Sequence, residues 1–190
     1  MNKVTEAYAV FDIKEAYVKF IDETKSSSAT CVGKITHELE TITTQQKCGQ
    51  VVLNQRSNGS GNGTATIDMY IPVETYREMY GMNLSNLKEG VHGYGSPSLH
   101  KEFTYTGVVV DEKGLEKLIA YPRCVVSAGP NMEVEHGQTE INAPSIPITL
   151  LPDSNGLCFY DVFESELPED VTKDTWLTNW SQTLVTNIKA

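Results

Sequence analysis

The sequence of 190 residues lacks the patterns that mark membrane and secreted proteins. None of its apolar runs approaches the roughly 20 residues needed to cross a bilayer. The first residues, MNKVTEAYAVF, contain no sustained apolar stretch of the kind found in signal peptides. We therefore expect synthesis in a cytosol and no membrane partner. The four cysteines form no CxxC pair and have no histidines at ligand spacing, so we expect reduced thiols, most of them buried.

Motifs for catalysis and cofactor binding are also absent. The glycines of SNGSGNG (57–63) lack the GK[ST] of a P-loop and precede a strand instead of a helix. GYGSPS (93–98) does not match the GxSxG of a nucleophile elbow. The histidines show no HExxH spacing, and Glu38 and Glu40 share a strand face without a predicted cleft. The chain is therefore predicted to have no enzymatic activity, no metal site and no cofactor.

Basic residues are scarce in the last third of the chain. Residues 131–190 contain 2 Lys or Arg and 10 Asp or Glu, which accounts for −8 of the net charge of −10. This excludes the basic footprint of a nucleic-acid-binding protein. Two interpretations remain, a well-solvated surface and a surface that repels polyanions.

The clearest local pattern lies at 64–82, TATIDMYIPVETYREMYGM. Residues 64–71 alternate between apolar and polar, which predicts a strand with one buried face. Pro72 ends the strand and suits the first turn of a helix, while Gly81 provides a C-terminal stop. The sequence therefore predicts a strand that leads directly into a short amphipathic helix at about 73–80.

Further strands are predicted in three hairpins. In the first, strands at 34–46 and 49–55 lead to a flexible glycine-rich tip at 57–63 and then to the strand at 64–71. The second joins 103–110 to 115–127 through DEKG, with Pro122 marking an edge or a bulge. The third joins 146–151 to 157–163 through PDSNG.

Both ends of the chain are less well defined. Residues 7–21 fit a helix and also fit two strands, whereas Trp176, Leu177, Trp180 and Leu184 indicate a helical turn or an arm that packs on an apolar surface. The predicted fold is mainly β, an antiparallel sandwich or barrel with one flanking helix, a long hairpin loop and extended terminal arms. We expect a single domain over 1–190, with an N-terminal segment at 1–30 and a C-terminal arm at 164–190.

Several segments together resemble a known family. GKITHELETITTQQKCGQVV, IDMYIPVETYREMYGMNLSNLKEGVHGYG and VVVDEKGLEKLIAYPRCVVSAGP, which lie within 33–130, resemble the major tail (tail tube) proteins of long-tailed, non-contractile bacteriophages. The resemblance implies hexameric rings stacked into a tube that conducts double-stranded DNA without specific binding. It also implies a strand at YVKFID, in the ambiguous N-terminal region.

The resemblance implies partners and a location as well. The partners are other copies of the chain, the tape measure protein, the tail terminator and the distal tail proteins. The location is the virion tail, after assembly in the host cytoplasm. Candidate residues facing the lumen or a neighbouring subunit are the polar side of the strand, Thr64, Thr66, Asp68 and Tyr70. Candidate ring-stacking residues are Asn58, Gly59, Gly61, Asn62 and Gly63.

Two other classes remain open at this stage. One is a monomeric or trimeric β-sandwich that decorates a virion or acts as an adhesin. It would present an exposed patch and would not polymerise end to end. The other is a small β-sandwich enzyme, which would require convergent acid, base or metal-binding groups in one pocket.

Overall fold

The computed structural model describes residues 4–5, 7–132, 135–137 and 143–186. Within these residues there are eight strands and two short helices. The strands are β1 Val10–Phe20, β2 Ser27–Ser28, β3 Cys31–Cys48, β4 Val51–Tyr70, β5 Phe103–Asp111, β6 Glu116–Val126, β7 Ser145–Leu151 and β8 Tyr160–Phe163. The helices are α1 Val73–Met79 and α2 Lys173–Thr178, and single 3-10 turns occupy Glu164–Glu166 and Gln182–Leu184.

All eight strands belong to one antiparallel sheet, in the order β2-β1-β5-β6-β7-β4-β3, with β8 paired to β6. The prediction of a mainly β, antiparallel fold with a short flanking helix is confirmed. The ambiguous N-terminal region forms β1, which lies inside the sheet between β2 and β5. From Val10 onward the predicted N-terminal segment is therefore part of the sheet and does not extend away from it.

The first hairpin differs from its prediction. The chain reverses at Gly49 and Gln50, where Gly49 has a φ of 63°. β4 then runs without interruption from Val51 to Tyr70. The predicted tip at 57–63 is wrong, because Asn58, Gly59, Gly61, Asn62 and Gly63 lie inside β4 and mostly pair with β3 or form a bulge. A single hairpin of an 18-residue and a 20-residue strand replaces the predicted set of short strands.

The second predicted hairpin is confirmed as β5 and β6, with Gly114 at a φ of 83° in the turn. β6 bulges at Pro122: Phe103 pairs with Cys124, whereas Tyr105 pairs with Tyr121. This leaves one extra residue on β6, as expected where proline cannot donate to the ladder. The strand is nevertheless central, because it pairs with β5 along one edge and with β7 and β8 along the other.

The third predicted hairpin is wrong in its pairing. β7 and β8 exist at about the predicted positions, but they do not pair with each other. β8 pairs with Lys117–Ala120 of β6, and β7 pairs with Arg123–Val126 of the same strand. The PDSNG turn therefore joins two strands that pair with successive segments along the same edge of β6.

The two faces of the sheet build two apolar clusters. In the main cluster, alternate residues of β1 and β4 meet those of β5, β6 and β7, so distant strands of the sheet share one core. Ala65, Ile67 and Met69 are buried there, which confirms the predicted apolar face of β4. Met79 and Tyr80 extend this cluster to α1.

The C-terminal segment covers the opposite face of β5 and β6. Trp176, Leu177 and Trp180 pack on Val108, Val110, Leu118 and Ala120 to form the second cluster. Thr172 is the N-cap residue of α2, and its hydroxyl accepts a hydrogen bond from the backbone N–H of Thr175. The predicted packing of this segment on an apolar surface is confirmed, and that surface is the protein's own sheet.

Candidate assembly surface

The outer half of the β3–β4 hairpin projects beyond the sheet. We call residues 41–59 the distal ribbon. All of its residues are exposed, so both faces of the ribbon are open to solvent. β7 pairs with β4 only over Gly63–Asp68, so no described strand pairs with either outer edge of the distal ribbon. An isolated two-stranded ribbon is marginally stable, and its free edges favour pairing with another chain.

The side chains of the distal ribbon explain why it leaves the core. At the base of the hairpin, Ile35 packs against the main cluster and His37 bonds to Tyr121. Continuing the alternation along β3, the same side carries the polar residues Thr41, Thr43 and Gln45. Thr43 and Gln45 pair with polar partners on β4, whereas Thr41 lies opposite Gly59. The Thr43 and Ser57 hydroxyls lie 2.9 Å apart, and the Gln45 amide donates to the Gln55 side-chain oxygen at 3.1 Å.

The tip of the hairpin is apolar in contrast. Val51, Val52 and Leu53 are 63, 45 and 62 % exposed. A register shift between Gln46 and Lys47 leaves Leu53 without an opposite residue on β3. Aliphatic side chains gathered at the end of a projecting ribbon are not needed for the fold of this chain, because they contact neither cluster of the core.

A bulge separates the distal ribbon from the base of the hairpin. Glu40 of β3 faces three residues of β4, Ser60, Gly61 and Asn62, because Leu39 pairs with Gly63 and Thr41 with Gly59. The Ser60 hydroxyl donates to the Glu40 carboxylate at 3.3 Å and accepts from the backbone N–H of Asn62 at 3.1 Å. The structure thus divides the predicted stacking residues: Asn58 and Gly59 belong to the ribbon, and Gly61, Asn62 and Gly63 to the bulge and the base.

The predicted lumen residues Thr64, Thr66, Asp68 and Tyr70 share the outward side of β4. Cross-strand neighbours of the first three lie on β3 and β7. Together these form what we call the polar face: Lys34, Thr36, Glu38, Thr64, Thr66, Asp68, Ser145, Pro147 and Thr149. Five of its nine residues carry hydroxyl groups. It contains one lysine and two carboxylates, so its net charge is only weakly acidic. The acidic character of the chain is concentrated elsewhere, in the last third.

His37 is the best candidate for acid–base chemistry by its surroundings. Its Nδ1 lies 2.6 Å from the Tyr121 hydroxyl, and its ring packs against Phe159. Partial burial of the ring against Tyr121 and Phe159, assisted by the positive charge of Lys117, lowers the pKa of His37, which favours the neutral imidazole at pH 7. Its contacts are with aromatic rings, and they hold the base of the hairpin on the core.

Three further features of the described part of the chain concern metal-binding groups, membrane-spanning helices and cysteines. Among those residues, no three His, Cys, Asp or Glu side chains are grouped closely enough to hold a metal ion. No described helix has the length and apolar character to span a membrane.

Cys124 and Cys158 are buried thiols, whereas Cys31 and Cys48 are exposed, so fewer of the free cysteines are buried than predicted.

An apolar groove lies at the other end of β4, a feature the sequence did not predict. It has a volume of about 450 Å³ and lies between the end of β4, α1 and two more distant segments. Its lining residues are Tyr70, Ile71, Val73, Tyr76, Met82, Pro130, Asn131, Met132 and Pro144. Val73 and Met132 are 61 and 86 % exposed. The available signal was Val73, an apolar residue at the start of the predicted helix that the structure leaves uncovered.

Comparison with known proteins gives no family assignment. No protein-family model matches the chain, and no curated protein matches it at a significant level.

Proposed function

We propose that this chain is a structural virion protein that forms hexameric rings, stacked into the tail tube of a long-tailed bacteriophage. In this proposal the tube conducts the genome into the host. The protein acts through assembly and not through catalysis, and it uses no cofactor. It is made in the host cytoplasm and ends in the virion tail.

The observation that supports assembly most directly is the distal ribbon. Its exposed faces, free edges and apolar tip are features that a second chain can cover, since pairing and burial between copies supply what the single chain lacks. A ring of identical subunits provides such pairing in every copy. Stacking of rings then gives each tip a neighbour.

The polar face has the chemistry expected of a DNA conduit. DNA carries one negative charge per about 1.7 Å of duplex, and each basic contact adds affinity through counterion release. A wall that must let DNA slide should therefore offer few cations. Lys34 is the single cation among the nine residues of the polar face, and five of the others carry hydroxyl groups. Contacts with DNA through this face would be weak and independent of base sequence.

Three further partners belong to this proposal through the family resemblance. The tape measure protein would occupy the lumen before the DNA does, and the tail terminator and distal tail proteins would close the two ends of the tube. Each end of the tube exposes one side of a ring, so both end proteins would contact the surfaces that stack rings elsewhere.

Electron microscopy and sedimentation velocity of the purified, concentrated protein test the proposal. We expect rings with six-fold symmetry, or tubes built from them. A protein that stays monomeric or trimeric at high concentration would contradict the proposal and would favour the virion decoration or adhesin class. A Thr64→Lys, Thr66→Lys variant addresses the lumen: tubes should form, and DNA ejection from virions that carry it should slow.

The matched control for the lumen variant is Ser181→Lys, Thr183→Lys, which adds the same number of cations at exposed positions in the C-terminal segment, outside the polar face. It should leave ejection unchanged. Equal ejection rates for both variants would show that Thr64 and Thr66 do not face the lumen.

A further inference from the structure

We propose that the apolar tip of one copy, Val51–Leu53, binds in the apolar groove beside α1 of the next copy along the tube. The inference rests on the proposed function and names the contact that would join one ring to the next. Both surfaces are present on every chain, so no additional protein is required.

The groove suits aliphatic side chains. Its walls are mostly apolar, and its volume of about 450 Å³ lies in the range of pockets that enclose small ligands. Val73 and Met132 expose large apolar areas to water at its rim. Exposed apolar surface gathered in a concave site marks a place where another molecule binds, because burying it gains about 25 cal/mol per Å².

The tip carries apolar side chains that match the apolar lining of the groove. It is the end of a narrow ribbon, and three consecutive aliphatic residues follow its turn. Leu53, at the bulge of β4, is not held by a partner on β3. Burial of Val51, Val52 and Leu53 on another copy would remove from water the largest apolar group of the distal ribbon.

The positions of the tip and the groove require that they meet between copies. Val51 is the first residue of β4 and Tyr70, which lines the groove, is the last of its 20 residues. At about 3.3 Å per residue the two ends lie roughly 60 Å apart. A tip therefore cannot reach the groove of its own chain. A contact between opposite ends of identical molecules is heterologous, and its repetition builds an open array when the rotation between copies does not close a ring.

Charge favours a second copy as the occupant. The distal ribbon contains Lys47 and Arg56 and none of the 25 acidic residues of the chain. The rest of the chain is strongly acidic and so attracts the ribbon of another copy. At the tip, Lys47 pairs with Val52 across the ribbon. At the groove, Glu74 follows Val73; its side chain is 76 % exposed and pairs with Arg77 at 3.2 Å, an exposed ion pair that leaves the carboxylate accessible to a second cation. Docking of the tip brings these opposite charges to the same place.

Substitutions in the tip and in the groove test the contact in the full-length protein. Leu53→Asp and Val73→Asp should each leave rings intact by sedimentation velocity and abolish tubes by electron microscopy. The matched control is Leu99→Asp, because Leu99 is 81 % exposed and lies outside the groove. Normal tubes from either groove or tip variant would overturn the inference. Loss of rings in the wild type would instead contradict the proposed function.

A charge reversal supplies a second measurement that is independent of folding. Lys47→Glu alone and Glu74→Lys alone should shorten tubes, and the double variant should restore their length. Failure of the double variant to restore length would show that these charges do not meet.

Direct proximity can be tested by cross-linking. Leu53→Cys and Met132→Cys, combined with Cys31→Ser and Cys48→Ser, should give a ladder of disulfide-linked chains after oxidation of tubes. Tubes that form normally but give no ladder would show that the tip binds elsewhere, for example along the polar face of a neighbouring subunit.

Discussion

Gly61 of β4 and Gly156 of the turn after β7 contact each other through their backbones. A Cβ atom built on Gly61 would lie 2.7 Å from the carbonyl oxygen of Gly156, closer than real Cβ atoms approach oxygen. Gly61 also has a φ of 81°, in the left-handed region that favours glycine. The contact holds the bulge of the long hairpin against the loop that joins β7 to β8.

Replacing Gly61 with alanine should therefore destabilise the protein. The clash and the left-handed backbone together should cost about 1–3 kcal/mol of unfolding free energy, measured by urea denaturation. Gly59→Ala is the matched control, because no atom lies within 4 Å of its Cβ position and its φ is not in the left-handed region. It should change stability by less than about 0.5 kcal/mol. Equal effects of the two variants would contradict the importance of the contact.

The C-terminal segment should contribute strongly to the stability of the single chain. Trp176 is 2 % exposed, and its indole N–H donates to the backbone oxygen of Ile119 at 3.4 Å. Trp176→Ala should lower the unfolding free energy by about 3–5 kcal/mol. Leu99→Ala, at an exposed apolar position, should change it by less than about 0.5 kcal/mol. A small effect of Trp176→Ala would indicate that the segment does not pack on the sheet in solution.

Stability should depend on pH through His37. Burial lowers the pKa of His37 in the folded protein, so the unfolded chain takes up the proton first as pH falls through the ordinary value of about 6.5. The unfolded state then binds more protons than the folded state, and the free energy of unfolding decreases. We expect the urea midpoint to fall between pH 7.5 and 5.5 in the wild type and to fall less in His37→Phe. Parallel profiles for the two proteins would contradict this role.

Carboxyl groups affect stability in a lower pH range than His37, so their contribution to the pH dependence can be measured separately. Burial acts to raise the pKa of Asp153, but hydrogen bonds from Tyr160 and from backbone N–H groups outweigh it and hold this pKa below its usual value. Hydrogen bonds from Lys14 and Lys173 likewise lower the pKa of Glu116. Their stabilising effect is complete above their ordinary pKa values near 4 and is lost as pH falls through the lowered values.

The four thiols should divide into two classes. Cys31 and Cys48 are exposed, whereas Cys124 and Cys158 are buried, and burial raises the pKa of both buried thiols. Because the thiolate is the reactive form, two thiols per chain of unassembled protein should react quickly with a thiol reagent such as DTNB. The other two should react only in denaturant. Rapid reaction of all four thiols in the native protein would contradict the buried positions.

The local patterns of the sequence predicted several elements well. The alternation at 64–70 identified the buried and exposed sides of β4, and Pro72 and Gly81 marked the limits of α1 closely. These signals depend on near neighbours along the chain, such as the missing N–H of proline or the alternating direction of side chains in a strand. The DEKG turn and the bulge at Pro122 were predictable for the same reason.

The glycine-rich stretch at 57–63 shows where local information was insufficient. Glycine permits a left-handed backbone in a hairpin turn and also in a bulge, so composition alone did not distinguish them. The bulge is selected by the contact of Gly61 with Gly156, a residue far away in sequence. Pairing of β7 and β8 with β6 was missed for a similar reason, since a turn between two strands does not require that they pair with each other.

The candidate assembly surface was predicted only in part. The polar residues of β4 were identified together, because alternation places them on one side of a strand. The distal ribbon was not recognised, although the change from Ile35 and Leu39 to Thr43 and Gln45 along β3 marked where the core ends. The groove was not predictable, because α1, Met82 and Pro130–Met132 meet only in the folded chain.

The sequence by itself determined the β5–β6 hairpin, the buried side of β4 over 64–70, the start and end of α1 and the acidic charge of the last third. Each of these follows from residue type and spacing over a few positions. Tertiary structure alone decided which strands pair, where the long hairpin turns, and that its outer half has no core to cover. Those features depend on contacts between residues distant in sequence, and they place the apolar tip and the apolar groove at opposite ends of one strand.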